Sequence, residues 1–162
     1  KREAIGRILD DINKIEDVDI KPLVELESNK DYRGAVALMD RALGKNSAYE
    51  RLNSSLVGVS GELTKLSLQI KPDDIGTKAI EAFGLLSRLA QAEKNFYESR
   101  RTLYEITKSY YGDLAAKKNP PIPGNLRELV AAINDNLKET KELQNQFAAA
   151  VKAFDEAVTS KR

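Results

Sequence analysis

Five residues of one predicted helix have the types and spacing to act on a partner. Tyr97, Arg101, Tyr104, Lys108 and Tyr111 follow one another at intervals of four, three, four and three, which aligns them on a single helical stripe. Phenols alternating with cations can stack on an aromatic group and pair with an anionic one. Tyrosine and arginine are also the types that anchor protein interfaces. The stripe is therefore the candidate partner surface. In the competing reading the rings cover the shoulder of a core and the cations pair with a neighbouring helix.

Other chemistry is poorly provided for. The chain has no histidine and no cysteine, which removes the usual general base, the imidazole ligand, the near-neutral switch and all thiolate chemistry. Ser54, Ser55, Ser60, Ser87 and Ser99 lack a histidine to activate them; a serine–lysine pairing stays open, but no spacing points to one. The acidic pairs Asp10–Asp11, Asp17–Asp19 and Asp73–Asp74 offer ligands to hard cations. None has the alternating pattern of an EF-hand, and helix capping accounts for them. Gly58-Val-Ser-Gly61 lacks the phosphate-loop pattern, and the sequon Asn53-Ser-Ser55 falls mid-helix. No catalytic, cofactor-binding or metal-ligating residue is assigned.

The stripe needs a long helix to carry it. From about Pro72 to Lys118, Leu85, Leu89, Ala92, Phe96, Leu103, Ile106, Tyr110 and Leu114 fall on a second stripe with only Ser99 polar among them. That is a heptad seam, on a helix of roughly 65–70 Å, so other helices must run alongside. Ile5, Ile8, Ile12 and Ile15 predict an N-terminal arm over 1–28, kinked near 17–21 and restarted by Pro22. Ser28 and Asp31 read as a capping box opening a helix over 31–70, whose seam runs through Ala35, Met39, Ala42, Leu52, Leu56, Val59, Leu63, Leu66 and Ile70 and slips near Gly44. Residues 29–43 resemble the second helix of a tetratricopeptide repeat; no neighbour repeats them at the 34-residue period that such a stack requires, so no fold is taken from them. Lys71-Pro72-Asp73-Asp74 makes a tight corner, with the aspartates at the positive end of the next helix. After Asn119-Pro-Pro-Ile-Pro-Gly124, Asn125 and Glu128 form the start of a last helix over 125–160, with a 4-3 repeat from Leu126 to Val158.

Short connections imply antiparallel neighbours. The expected fold is all-α: one domain over 1–162, an elongated up-down-up-down four-helix bundle with the kinked arm as fourth member. The alternative is a three-helix bundle with an N-terminal cap. Across the corner at Pro72, Gly61 with Gly84 and Gly58 with Ser87 share one index sum, which predicts a close helix contact at those small residues.

With 26 basic and 25 acidic side chains in 162 residues, the net charge is +1. This argues against a nucleic-acid binder or a polybasic membrane patch. No apolar run is long enough to span a bilayer. The expected function is a non-enzymatic interaction or sensor module, with a protein partner or self-association and no cofactor. The start at Lys1 favours an alternative, an extracytoplasmic segment of a membrane-tethered protein; a cytoplasmic location also fits. A carboxylate- and lysine-based enzyme or cofactor carrier is the distant third reading.

Overall fold

A computed structural model describes residues 2–15, 17–67, 69–70 and 74–160. Every regular element among them is helical: α1 (Arg2–Lys14), α2 (Pro22–Ser28), α3 (Tyr32–Ser67), α4 (Asp74–Ala115) and α5 (Leu126–Thr159). Three long helices pack together, and the two short N-terminal ones lie on α3.

The order of the layers follows from α4, which carries two adjacent heptad seams. Leu86, Ala90, Glu93, Tyr97, Arg100 and Tyr104 are buried at 4-3 spacing and form the α3 side, where Leu86 and Ala90 cluster with Leu56 and Leu63. One position away in the heptad, Leu89 and Ala92 cluster with Leu143 of α5, joined by Leu85 and Phe147. The seam anticipated from Leu85 onward is this second one. Asn46 and Asn53 of α3 bond to Tyr97 and Ala90 in reverse order, as do Ser99 and Glu93 to Asn136 and Gln144 of α5, so both pairs are antiparallel. Among the described residues no Cα of α3 comes within 8 Å of one in α5.

α3 runs unbroken through Gly44, where a phase slip was expected. Its buried residues Ala35, Met39, Ala42, Asn46, Tyr49, Asn53, Leu56, Ser60, Leu63 and Ser67 keep a constant 4-3 alternation. The apparent slip arises from following leucines and valines alone. Every seventh core position from Asn46 is polar, and Leu52, Val59 and Leu66 lie on the flanks of the true seam.

The helix ends have local causes. α2 closes with Lys30 at φ 56°; Lys30 N–H donates to Glu27 O and Asp31 N–H to Leu26 O, a Schellman closure with lysine in the left-handed position usually held by glycine. α4 ends the same way at Lys117, φ 60°. Ser28 therefore does not start α3: its hydroxyl donates back to Val24 O. Asp31 caps α3 alone, Oδ1 accepting from Gly34 N–H at 2.9 Å. Asn125 stands at the N-cap of α5 without a side-chain cap bond, so the expected capping box is not formed. Of the corner after α3, residues 71–73 lie outside the described residues. The expected kink near 17–21 is a full break between α1 and α2.

Candidate functional site

The tyrosine stripe is not an open face. Tyr97, Tyr104 and Tyr111 are 7, 5 and 5 % exposed, because their heptad positions belong to the α3 seam. Tyr49 of α3 stacks on Tyr97 with ring centroids 5.0 Å apart, and Tyr32 stacks on Tyr111 at 6.2 Å. Burial and the carboxylate of Glu27 push the Tyr111 phenol up to about 12. The two cations bridge to α3 at the rim: Arg101 to Glu50 at 3.2 Å and Lys108 to Asp40 at 2.6 Å. The five residues are thus brought together as an internal fastening of α3 to α4.

The predicted glycine contact is absent. Gly58, Gly61 and Gly84 are exposed and Ser87 is half-buried. A Cβ added at any of the three glycines would meet nothing within 4 Å. Constant index sums place residues at matching heights along antiparallel helices, but they do not say which side of each helix faces the other. Here the outer sides carry the glycines, and Gly84 lines an open groove between α4 and α5 with Ala149 and Ala153.

Sequence reasoning passed over a polar line through the core. Asn46 Nδ2 donates to Tyr97 O at 2.9 Å and Asn53 Nδ2 to Ala90 O at 3.0 Å, so the sequon asparagine is a buried helix-to-helix tie. Glu93 is 4 % exposed. Gln144 donates to its Oε1 over a long 3.5 Å, and burial raises its pKa above the ordinary carboxylate value. Asn46 Oδ1, Asn53 Oδ1, Glu93 Oε2 and Thr140 Oγ1 are buried with no hydrogen-bond partner among the described residues. The signal available in the sequence was the seven-residue spacing of Asn46, Asn53, Ser60 and Ser67.

A second unforeseen centre is Arg100, buried between the Phe96 and Tyr104 rings. Its guanidinium donates to the Tyr104 hydroxyl and to Asp17 Oδ1, the latter at 2.5 Å. Burial works against its charge, but Asp17 and Tyr104 outweigh that and its pKa is raised. Beside it, Tyr49 donates its hydroxyl to Ile15 O at 2.6 Å. Together these bonds hold the break between α1 and α2 onto the long helices. Of the other paired aspartates, Asp11 pairs with Lys14, Asp19 accepts Lys21 N–H, and Asp74 pairs with Lys78, while Asp73 lies outside the described residues. Among the described residues no cluster of three or more carboxylates could hold a metal ion, and no helix is long and apolar enough to cross a membrane.

The concave feature with the most uniform chemistry lies at the α1 end. Ile5 and Ile8 of α1 pack on the Leu56–Leu63–Leu86–Ala90 cluster, yet no described Cα of α1 comes within 8 Å of α5. Between them is a cavity of about 340 Å³, walled by Ile5, Leu63, Phe83, Leu86, Phe147 and Phe154. Its size falls within the range of small-molecule sites. A smaller cavity of about 300 Å³ lies at the other end of α4, between Leu23 and Glu27 of α2 and Ile122 and Val130 near the start of α5. Both are parts of the separation between the N-terminal helices and α5.

Compared with known proteins, the chain matches no family model, no curated protein sequence and no solved structure.

Proposed function

We propose that this chain is a non-enzymatic helical interaction or sensor module whose binding site is the apolar cavity between α1 and α5. In this reading the N-terminal helices are the broken fourth member of an up-down-up-down bundle, and the site is the gap they leave. The observation that carries it is the lining: three phenylalanine rings, two leucines and Ile5 converge on about 340 Å³, in a domain large enough to pack its core without such a space. The absence of histidine and cysteine and the burial of the tyrosine stripe in the α3 seam leave this cavity as the best-supported place for a partner, an apolar small molecule or side chain.

The test is a titration of the full chain with naphthalene, followed by methyl NMR and thermal melting. Saturable shifts confined to Ile5, Leu63, Leu86 and Val151, with a rise in Tm by mass action, are expected. Shifts scattered over exposed methyls such as Val24 and Ile122, or no saturation at all, would overturn the assignment.

A further inference from the structure

We propose that the open groove between α4 and α5 is the interface of a symmetric dimer, occupied by the same groove of a second copy of this chain. The groove is separate from the apolar cavity. Glu81, Gly84 and Arg88 line it from α4 and Ala149 and Ala153 from α5, and none of these lines the cavity.

The charges point to the occupant. Glu81 and Arg88 are exposed and stand seven positions apart, on one face of α4. Elsewhere on that helix Lys78 pairs with Asp74 and Lys94 with Glu98. Glu81 and Arg88 form no ion pair among the described residues. About 10 Å of helix separates them, so they are set to meet opposite charges two turns apart on another surface. A second α4 running antiparallel presents a base and an acid at that separation, in the order required.

The register of α5 agrees. Gln144 donates to Glu93 and Asn136 to Ser99. Each step back along α4 from those bonds is a step forward along the antiparallel α5. The midpoint of Glu81 and Arg88 therefore lies close to the level of Val151, which is midway between Ala149 and Ala153. A two-fold axis lying in the interface and crossing both helices at that level sets Glu81 against Arg88 of the second copy, and Arg88 against its Glu81. The same rotation lays Ala149 against Ala153. An isologous contact requires this self-complementarity. The bare backbone at Gly84 and the single methyls of Ala149 and Ala153 permit the short interaxial distance of packed helices.

Exchanging the charges tests the interface. Sedimentation velocity of the full chain, from micromolar to submillimolar concentration, should show a reversible monomer–dimer equilibrium that weakens as salt is raised. Glu81→Arg and Arg88→Glu each set like charges together in both pairs, and should weaken the dimer at least about tenfold. Both positions are exposed, and circular dichroism checks that each variant is folded. Mixing the two variants one to one restores two opposite-charge pairs per dimer, and so does combining both substitutions in one chain. Both should recover dimerisation. A wild-type chain that stays monomeric, single variants that dimerise as tightly as wild type, or a mixture of folded variants that stays monomeric overturns the proposal.

Discussion

Arg100 and Asp17 stand 83 positions apart in the chain and 2.5 Å apart in space. The arginine is nearly enclosed, its side chain 11 % exposed, whereas the aspartate is 55 % exposed. The pair joins the N-terminal arm to the middle of α4, at the level where Tyr49 holds Ile15. One consequence is directional. Removing the aspartate leaves a buried charge short of its partner, and removing the arginine leaves only a wet carboxylate.

Asp17→Ala should therefore lower stability by about 1–2 kcal/mol, less than a fully buried pair would because the aspartate is half in water. The amide protons of α1 and α2 should exchange faster while the centres of α3 and α4 stay protected. Hydrogen exchange followed residue by residue checks this; uniform acceleration across all helices would contradict it.

Glu93 gives the fold a pH dependence of known sign. Burial raises its folded-state pKa above the unfolded value, so the native state holds the proton more tightly. The corresponding stability is fully present below the unfolded pKa and is lost as pH rises through the folded one. Glu93→Gln should remove that slope and leave the chain more stable than wild type on the alkaline side. Denaturant midpoints measured from pH 4 to pH 8 decide it.

Gly58 and Gly84 sit inside long helices with nothing within reach of an added methyl. Alanine at either position should raise stability by about 0.5–1 kcal/mol, since glycine loses more backbone freedom on folding. For a chain of this size that is about 2–4 °C in Tm for each 1 kcal/mol. A loss of stability in either variant would contradict the open surroundings of these two glycines.

Gly34 behaves in the opposite way. A Cβ there would run into the Asp31 carboxylate that caps α3, and come within 2.9 Å of Leu26. Gly34→Ala should cost about 1–2 kcal/mol through the lost cap and the displaced contact. Lys117→Gly, by relieving a left-handed lysine, should gain about 0.5–1 kcal/mol. Thermal melts of the two single variants should move in opposite directions.

The helical content and the three long elements were legible because apolar residues on α4 and α5 return at 4-3 spacing with few polar interruptions. Four features were not. Polar residues at core heptad positions, Asn46, Asn53 and Glu93, are indistinguishable by type from surface residues, and only their 4-3 spacing with Tyr49 and Leu56 on α3, or with Ala90 and Tyr97 on α4, marks them. The tyrosine stripe was recognised as a unit, but spacing within one helix cannot report which neighbour covers it. The clasp at Arg100 joins residues far apart in the chain, and no local pattern announces such a contact. The cavity is subtler still, since it depends on how far α1 stands from α5, a distance that residue types do not encode.

α4 packs on α3 along one seam and on α5 along the other, and among the described residues no Cα of α3 comes within 8 Å of one in α5. Cooperativity therefore runs mainly through α4, with a side route where Phe147 of α5 packs on the Leu56–Leu63–Leu86–Ala90 cluster. Within this three-helix body, an unfolding event in α5 reaches α3 mainly by loosening α4, so disturbances of the apolar seam at Leu89 and of the polar seam at Asn53 should combine additively unless α4 itself gives way. Rupture of that one helix would leave α3 and α5 coupled through little more than the contact at Phe147.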